Sequence, residues 1–178
     1  MKDLEGNVMA EALRTCKTVD DFENWLKRNL GPSLGCWTNF GVIDAEGNAE
    51  IFEVHNNGFK KYDTADTPEK YLVNANFARS GKEGQGTGYL RFQRAELLFK
   101  NLGAKKISHD YVFQTVARDM GNVLLNTPSN HELVNYSDNQ PVWARTGDTI
   151  NREYTSAAVV IMGKKPGDKN SVATMWIL

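Results

Sequence analysis

The sequence has few of the residues that mark a disulfide scaffold, a membrane protein or a nucleic-acid binder. Its two cysteines, Cys16 and Cys36, allow at most one disulfide among 178 residues, so no disulfide framework is predicted and the compartment is left open. No apolar run approaches the ~18 residues that a membrane helix needs, so no membrane span is expected. The 21 basic and 22 acidic residues give a net charge of −1. Without a basic excess, phosphate-driven binding of nucleic acid is not expected either.

Metal and cofactor motifs are also absent from the sequence. The three histidines, His55, His109 and His131, form no His-x-x-x-His pair, and no Cys-x-x-Cys spacing occurs. Gly84, Gly86 and Gly88 resemble a fragment of a phosphate loop, but the Gly-Lys-Ser/Thr ending and the Rossmann spacing are missing. We therefore expect no metal and no cofactor. Such a density of glycine indicates a flexible loop, or a loop that a ligand approaches closely.

The hydrophobic pattern predicts helices followed by strands, and then this order again. Apolar spacings of three and four predict helices over residues 4–16, 19–29, 89–101 and 108–120. Extended patterns predict a hairpin of residues 40–44 and 49–54, a run over 70–77, and strands within 155–162 and 171–178. Residues 126–145 are predicted to form a long loop. The order predicts an α+β fold with a mainly antiparallel sheet, in a single domain of residues 1–178 or a portion of a larger one.

The second helix has the clearest limits. Thr18 and Asp21 form the pattern of a capping box at its start, and Gly31-Pro32 ends it.

The cysteines are the strongest nucleophiles in the sequence. Cys16 lies among apolar helical neighbours and is read as a small buried residue. Cys36 follows Gly35 and precedes a strand, so cleavage of the Gly35–Cys36 bond by the chain itself would expose an N-terminal cysteine whose own amine acts as base. A self-processing hydrolase that uses Cys36 is therefore one hypothesis.

A second group of candidates surrounds residues 70–77. If this run is a strand, Asn74 and Asn76 lie on one face, close in sequence to the glycine-rich loop and to Arg91 and Arg94. An asparagine amide can donate to a developing oxyanion, and an arginine can bind a carboxylate. A strand edge satisfied by its own amides is the structural alternative.

These residues also belong to a familiar order of segments. Asn39-Phe40-Gly41-Val42-Ile43-Asp44, the acid Glu53, Asn74-Ala75-Asn76-Phe77 and Gly88-Tyr89-Leu90-Arg91-Phe92-Gln93-Arg94 follow one another along the chain. Together they resemble the acyl-coenzyme A:6-aminopenicillanic acid acyltransferase family (isopenicillin-N acyltransferase and carcinine hydrolase-like) of N-terminal nucleophile hydrolases. The resemblance extends over most of the chain.

The resemblance implies a four-layer αββα sandwich with mainly antiparallel sheets, in which a cysteine freed by autoproteolysis attacks an amide. It gives Asn76 the role of the oxyanion asparagine and points to Arg91 as the downstream arginine. Asn74 and Arg94 are then the expected substrate-binding residues.

The nucleophile of that family does not match Cys36, because Cys36 precedes a segment that resembles an internal strand. The resemblance therefore implies a partial amidase or acyltransferase for a small-molecule amide or acyl substrate, with its cysteine outside this chain and the isolated chain inactive. A non-catalytic binding module on the same fold is the alternative from another class. Open strand edges in such a chain would favour self-association.

Overall fold

The computed structural model describes residues 3–102, 107–125 and 145–178, which fall into two compact units. The first unit comprises Met1–Leu72, Ala78–Gln85 and Gly163–Thr174, as far as these are described. The second comprises Val73–Phe77, Gly86–Met162 and Met175–Leu178, with the same restriction. Helices and antiparallel strands occur together, so the α+β class is confirmed.

The first unit begins with two helices, α1 (Glu5–Thr15) and α2 (Val19–Asn29). The capping box of α2 is formed as predicted: the Asp21 amide donates to Thr18 Oγ1 over 3.1 Å, and the Thr18 amide donates to Asp21 Oδ2 over 3.1 Å. These hydrogen bonds satisfy amides that the first helical turn leaves free. Both predicted helices are confirmed.

Three strands follow: β1 (Trp37–Ile43), β2 (Ala49–His55) and β3 (Gly58–Asp63). They form an antiparallel sheet in the order β1-β2-β3. The hairpin of β1 and β2 was predicted from the sequence, whereas β3 was not. A short 3₁₀ turn, Thr64–Asp66, comes directly after β3.

The core of the first unit lies where α1 and α2 cover one face of the sheet. Phe52 is fully buried, and the Phe22 ring meets the rings of Phe40 and Phe52 edge to face, with centroids 5.7 and 5.2 Å apart. Asp44 accepts the Val19 amide over 3.1 Å and so ties the start of α2 to the hairpin. The other buried apolar residues of this cluster are Val8, Val19, Leu26, Leu34, Cys36 and Val54.

The second unit contains α3 (Tyr89–Leu102), a single helical turn α4 (His109–Tyr111) and a π-helical turn (Val112–Val116). The helix predicted over residues 108–120 is therefore shorter than expected and ends in a widened turn. The described chain ends with β4 (Val159–Met162) and β5 (Thr174–Ile177), which pair with each other. Both strands were predicted, and both are shorter than the patterns suggested.

Two further predictions concern the extended run over residues 70–77 and the long loop over residues 126–145. The extended run over residues 70–77 is not a strand, and the chain there is irregular. The long loop predicted over residues 126–145 lies outside the described residues, except for its last position. In the described part of the chain, no helix combines the length and the hydropathy that crossing a bilayer requires.

Candidate functional site

Asn76 and Arg91 are joined directly in the second unit. Arg91 Nη2 donates to Asn76 Oδ1 over 2.7 Å. Because a guanidinium only donates, the oxygen of the Asn76 amide must face Arg91 and its nitrogen must face away. Within the described ranges Asn76 Nδ2 makes no hydrogen bond, so its two N–H donors are available in a side chain that is exposed.

The sequence prediction placed Asn74 and Asn76 on one face of a strand, and that reason is wrong because residues 70–77 form no strand. The glycine-rich loop positions Asn76 instead. The Thr87 amide donates to the Asn76 carbonyl over 2.9 Å, and a Cβ on Gly86 would come within 2.6 Å of that same carbonyl. Gly86 also has a φ of +89°, which other residues rarely adopt.

Gly88 has the corresponding role for Arg91. Its φ is +88°, and a Cβ at this position would come within 2.6 Å of Arg91 Nη2. The Arg91 guanidinium therefore packs against the backbone of Gly88, where a side chain would block it, and reaches Asn76 from there. The density of glycine that suggested a close ligand approach is explained here by the close approach of the chain's own side chain and backbone.

Aromatic contacts hold the same segment. The rings of Phe77 and Tyr89 stack with centroids 4.3 Å apart, and Phe92 meets Phe77 edge to face at 5.4 Å. These contacts join the residue after Asn76 to the first turn of α3. The Asn76–Arg91 pair is thus held in position by the glycine-rich loop and by these aromatic contacts.

Arg94 lies one helical turn after Arg91 and makes a different contact. Its Nε and Nη2 donate to Asp119 Oδ1 and Oδ2 over 2.8 and 2.7 Å, in the bidentate geometry typical of arginine and carboxylate. Asp119 is buried, and its Oδ1 also accepts the Gly121 amide over 3.0 Å. A substrate role for Arg94 stays a prediction, but two of its nitrogens are already engaged.

Asn74 is half-buried, and its Oδ1 is enclosed by protein without a hydrogen-bond partner in the described part of the chain. A buried amide oxygen without a donor is unfavourable. Its predicted substrate role also stays a prediction.

Cys36 belongs to the core of the first unit. Its side chain is fully buried, and Sγ lies 3.4 Å from the Leu34 carbonyl. Burial, together with the nearby Glu5 carboxylate, raises the pKa of the Cys36 thiol above its usual range. Both effects make this thiol a poor nucleophile.

Glu53 is a buried carboxylate in the first unit that holds a loop. It accepts hydrogen bonds from the Arg79 and Ser80 amides, the Ser80 hydroxyl and the Tyr62 hydroxyl. Burial alone would raise the pKa of Glu53, but these hydrogen bonds hold it below the ordinary value. Glu53 therefore remains charged and fixes the residues that follow Phe77.

Sequence reasoning missed Asp119 and the loop of residues 146–155 that is attached to it. The partners of these residues are far away in sequence: Asp119 contacts Arg94 on α3, and the Asn151 amide donates to the Asp119 carbonyl over 2.8 Å. No local spacing could have revealed them. In the described residues no three His, Cys, Asp or Glu side chains are grouped in a way that could hold a metal ion.

Comparisons of this chain with models of protein families, with curated proteins and with solved structures found no match. The arguments about function that follow therefore depend on the sequence and on the geometry described above.

Proposed function

We propose that this chain is part of an N-terminal nucleophile amidase or acyltransferase, and that it supplies the group that stabilises the oxyanion. The observation that supports this proposal best is the 2.7 Å hydrogen bond from Arg91 Nη2 to Asn76 Oδ1. It fixes the Asn76 amide with its oxygen towards Arg91 and both Nδ2–H donors directed away from Arg91. An oxyanion donor needs this preorganisation, because its orientation must not change during the reaction.

The chemistry that fits is nucleophilic attack on an amide carbonyl. A thiolate attacks the carbonyl carbon and the oxygen becomes negative. The C–N bond then breaks as the leaving amine takes a proton from the protonated N-terminal amine of the nucleophile, and the acyl group passes from the thioester to water or to an acceptor amine. Asn76 Nδ2 would donate to the oxygen as its charge develops. The nearby Arg91 cation would add favourable electrostatics to the same charge.

The nucleophile of the proposed reaction lies outside this chain. Cys36 is fully buried and the pKa of its thiol is raised. The Gly35 carbonyl accepts the Leu4 amide over 3.2 Å, within the packed first unit. These contacts disfavour self-processing at the Gly35–Cys36 bond.

The first experiment identifies the native polypeptide. An antibody against this chain would isolate the polypeptide from its source for mass measurement and N-terminal sequencing. We expect a polypeptide larger than 20.0 kDa that begins with a cysteine outside this sequence. A polypeptide that starts at Cys36 would instead support self-processing, and one without an N-terminal cysteine would contradict the proposal.

The second experiment tests Asn76 in that polypeptide. We expect Asn76→Ala to lower kcat for amide hydrolysis by roughly 10²–10³, the usual effect of losing one oxyanion donor. Asn170→Ala is the matched control, because it removes the same amide from an exposed loop of the first unit. Equal turnover in Asn76→Ala and Asn170→Ala would overturn the oxyanion role.

A non-catalytic binding module is the second candidate, and one observation favours it. Cys36 is buried, and Cys16, which the sequence predicted to be buried, is half-buried, so neither thiol of this chain is fully exposed. A module of this kind would bind an amide ligand at Asn76 and Arg91 without cleaving it. Retention of intact ligand by the native polypeptide, with no amine released, would distinguish it from the amidase.

A further inference from the structure

Glu53 lies on the face of β2 that α1 and α2 do not cover. Its neighbours in the strand, Phe52 and Val54, both belong to the apolar core, and side chains alternate between the two faces along a strand. Glu53 is nevertheless only 4% exposed. A buried carboxylate is costly unless it is hydrogen-bonded, so the groups that cover Glu53 must supply donors.

Most of these donors come from one loop, Ala78–Gln85. The Arg79 amide donates to Glu53 Oε1, and the Ser80 amide and hydroxyl donate to Glu53 Oε2 over 3.0 and 2.6 Å. The loop has no apolar side chain larger than that of Ala78, and all eight of its residues are exposed. Hydrophobic contact therefore contributes little to its position, and hydrogen bonds to the Glu53 carboxylate hold it.

The two ends of this loop meet at Asn76. Inside the loop, two backbone hydrogen bonds of 3.1 Å each close one turn over residues 78–81 and another over residues 82–85. At its base, the Thr87 amide donates to the Asn76 carbonyl over 2.9 Å. Closing a loop costs conformational entropy, and the cost falls when the loop is already held in its folded form. The bond that fixes the Asn76 backbone thus depends on a loop that Glu53 holds.

We propose that Glu53 is a positioning residue for the oxyanion donor. Its carboxylate holds the loop Ala78–Gln85, and the closed base of the loop places Asn76 where Arg91 can orient its amide. This inference rests on the proposed function, because it assigns Glu53 a part in preparing that reaction. Glu53 itself does not touch the substrate, and a carboxylate suits its task because its two oxygens can accept several N–H and O–H donors together.

The first test follows the side chain of Asn76 by NMR in the ¹⁵N-labelled chain. Glu53→Gln preserves the size of the side chain but replaces one acceptor oxygen with an NH₂ group, which repels the amide donors of the loop. We expect the two Nδ2–H resonances of Asn76 to move towards those of an unconstrained asparagine. Hydrogen exchange at the Arg79 and Ser80 amides should rise at least about tenfold, because their acceptor is lost.

Two further variants separate positioning from stability. Val54→Ala is the matched control: it removes a buried side chain next to Glu53 on the opposite face, so it destabilises the first unit without touching the loop. The Asn76 resonances should not change in it. Ser80→Ala removes one donor and retains the carboxylate, so it should produce a smaller change in the same direction as Glu53→Gln. This milder variant keeps the test decisive if Glu53→Gln does not fold.

The second test measures turnover in the native polypeptide. We expect Glu53→Gln to lower kcat by about tenfold, because a small displacement of a catalytic group slows the reaction. KM should stay within about twofold of the original value, since the oxyanion donor acts on the transition state. Val54→Ala should retain the original kcat at a temperature where it is folded.

Unchanged Asn76 resonances in both Glu53→Gln and Ser80→Ala would overturn the proposal. Equal changes in Glu53→Gln and Val54→Ala would also overturn it, because Glu53 would then act only through the stability of the first unit. The same holds for a higher KM at unchanged kcat. The NMR measurement requires no turnover, so displaced Asn76 resonances without any amide cleavage would retain the positioning role and contradict only the proposed function.

Discussion

The two units of this protein hold their structure by different means. In the first unit, nine buried apolar side chains of the described residues form one cluster between the helices and the sheet. In the second unit, the buried apolar residues of the described part are Val73 and Phe113, and polar Asp119, Asn122 and Thr149 are buried beside them. The first unit also buries three polar residues, Asp44, Glu50 and Glu53, but beside a large apolar cluster, whereas polar residues outnumber apolar ones among the buried side chains named for the second unit.

This difference corresponds to what each unit is able to do. Apolar contacts stabilise a fold without fixing the direction of any polar group, because the hydrophobic effect is non-directional. Hydrogen bonds to a buried carboxylate set positions and orientations. The second unit uses Asp119 in this way to hold Arg94 and the Gly121 amide, and Asn76 and Arg91 belong to the same unit.

The largest expected effect of a substitution is in the apolar core. Phe52→Ala removes a fully buried ring that Phe22 contacts edge to face, and we expect a loss of about 3–5 kcal/mol in the free energy of unfolding. Urea denaturation followed by far-ultraviolet circular dichroism measures this. The control is Trp37→Ala on the same sheet: that side chain is 67% exposed, and the expected change is within about 0.5 kcal/mol.

A loss in Phe52→Ala no larger than that in Trp37→Ala would mean that apolar burial does not hold the first unit. The comparison between the units would then fail at its first step.

The second largest effect is expected for Asp119, the buried carboxylate of the second unit. Asp119→Ala leaves the half-buried cation of Arg94 without its carboxylate and releases the Gly121 amide, so we expect a loss of about 3 kcal/mol in unfolding free energy. Amide hydrogen exchange at Gly121 should rise, because its acceptor, Asp119 Oδ1, is removed. The exposed pair Glu11–Arg14 is the matched control, and Glu11→Ala should cost under about 1 kcal/mol.

The double variant Arg94→Met with Asp119→Leu removes the buried pair without leaving one charge behind. Most of the stability should return, since apolar residues of similar volume replace buried ion pairs at little cost. Protection of the Gly121 amide should not return with it. Recovery of both would show that the Asp119 side chain fills space and that its carboxylate does not hold the Gly121 amide.

The same contrast explains which features could be predicted from the sequence. The limits of α2 depend on Thr18, Asp21 and the Gly31-Pro32 pair, which are neighbours along the chain, so their pattern is visible locally. The strand β3 was missed because Gly58–Asp63 carries little apolar alternation and is held by its register against β2. Residues 70–77 have the alternation of a strand, but their backbone is irregular in the structure.

For the site, sequence reasoning chose Asn76 and Arg91, but for a reason that does not hold. The two side chains meet because Gly86 and Gly88 adopt positive φ and allow the chain to approach itself. Asp119 could not have been chosen, because its partners Arg94 and Asn151 lie more than 20 positions away along the chain. Long-range polar contacts of this kind leave no periodic signal.

The smallest change in stability is expected for two buried glutamates of β2, Glu50 and Glu53, which are three residues apart. Glu53 accepts four hydrogen bonds, from Tyr62, Arg79 and Ser80. Glu50 is equally buried, but Lys61 Nζ lies 3.4 Å away and Glu50 Oε2 has no hydrogen-bond partner in the described chain. Burial, added to the charges of Asp63 and Glu23, raises the pKa of Glu50 despite Lys61. The pKa of Glu53 is lowered instead.

The two shifts predict opposite dependences on pH. Glu53 contributes stability that is present above the ordinary glutamate pKa of 4.5 and is lost as the pH falls through its lower folded-state value. Glu50 binds its proton more tightly when folded, so its contribution is lost as the pH rises from 4.5 through its higher folded-state value. We expect Glu53→Gln to cost about 1–2 kcal/mol at pH 7.

Urea denaturation of Glu53→Gln, Glu50→Gln and the unmodified chain between pH 3 and 8 separates the two residues. The cost of Glu53→Gln should shrink below pH 4.5, whereas Glu50→Gln should gain relative to the unmodified chain as the pH rises above 4.5. Parallel curves for the two variants would mean that hydrogen bonds do not distinguish these carboxylates. Opposite curves would show, within one strand, that a buried charge stabilises this fold only where hydrogen-bond donors surround it.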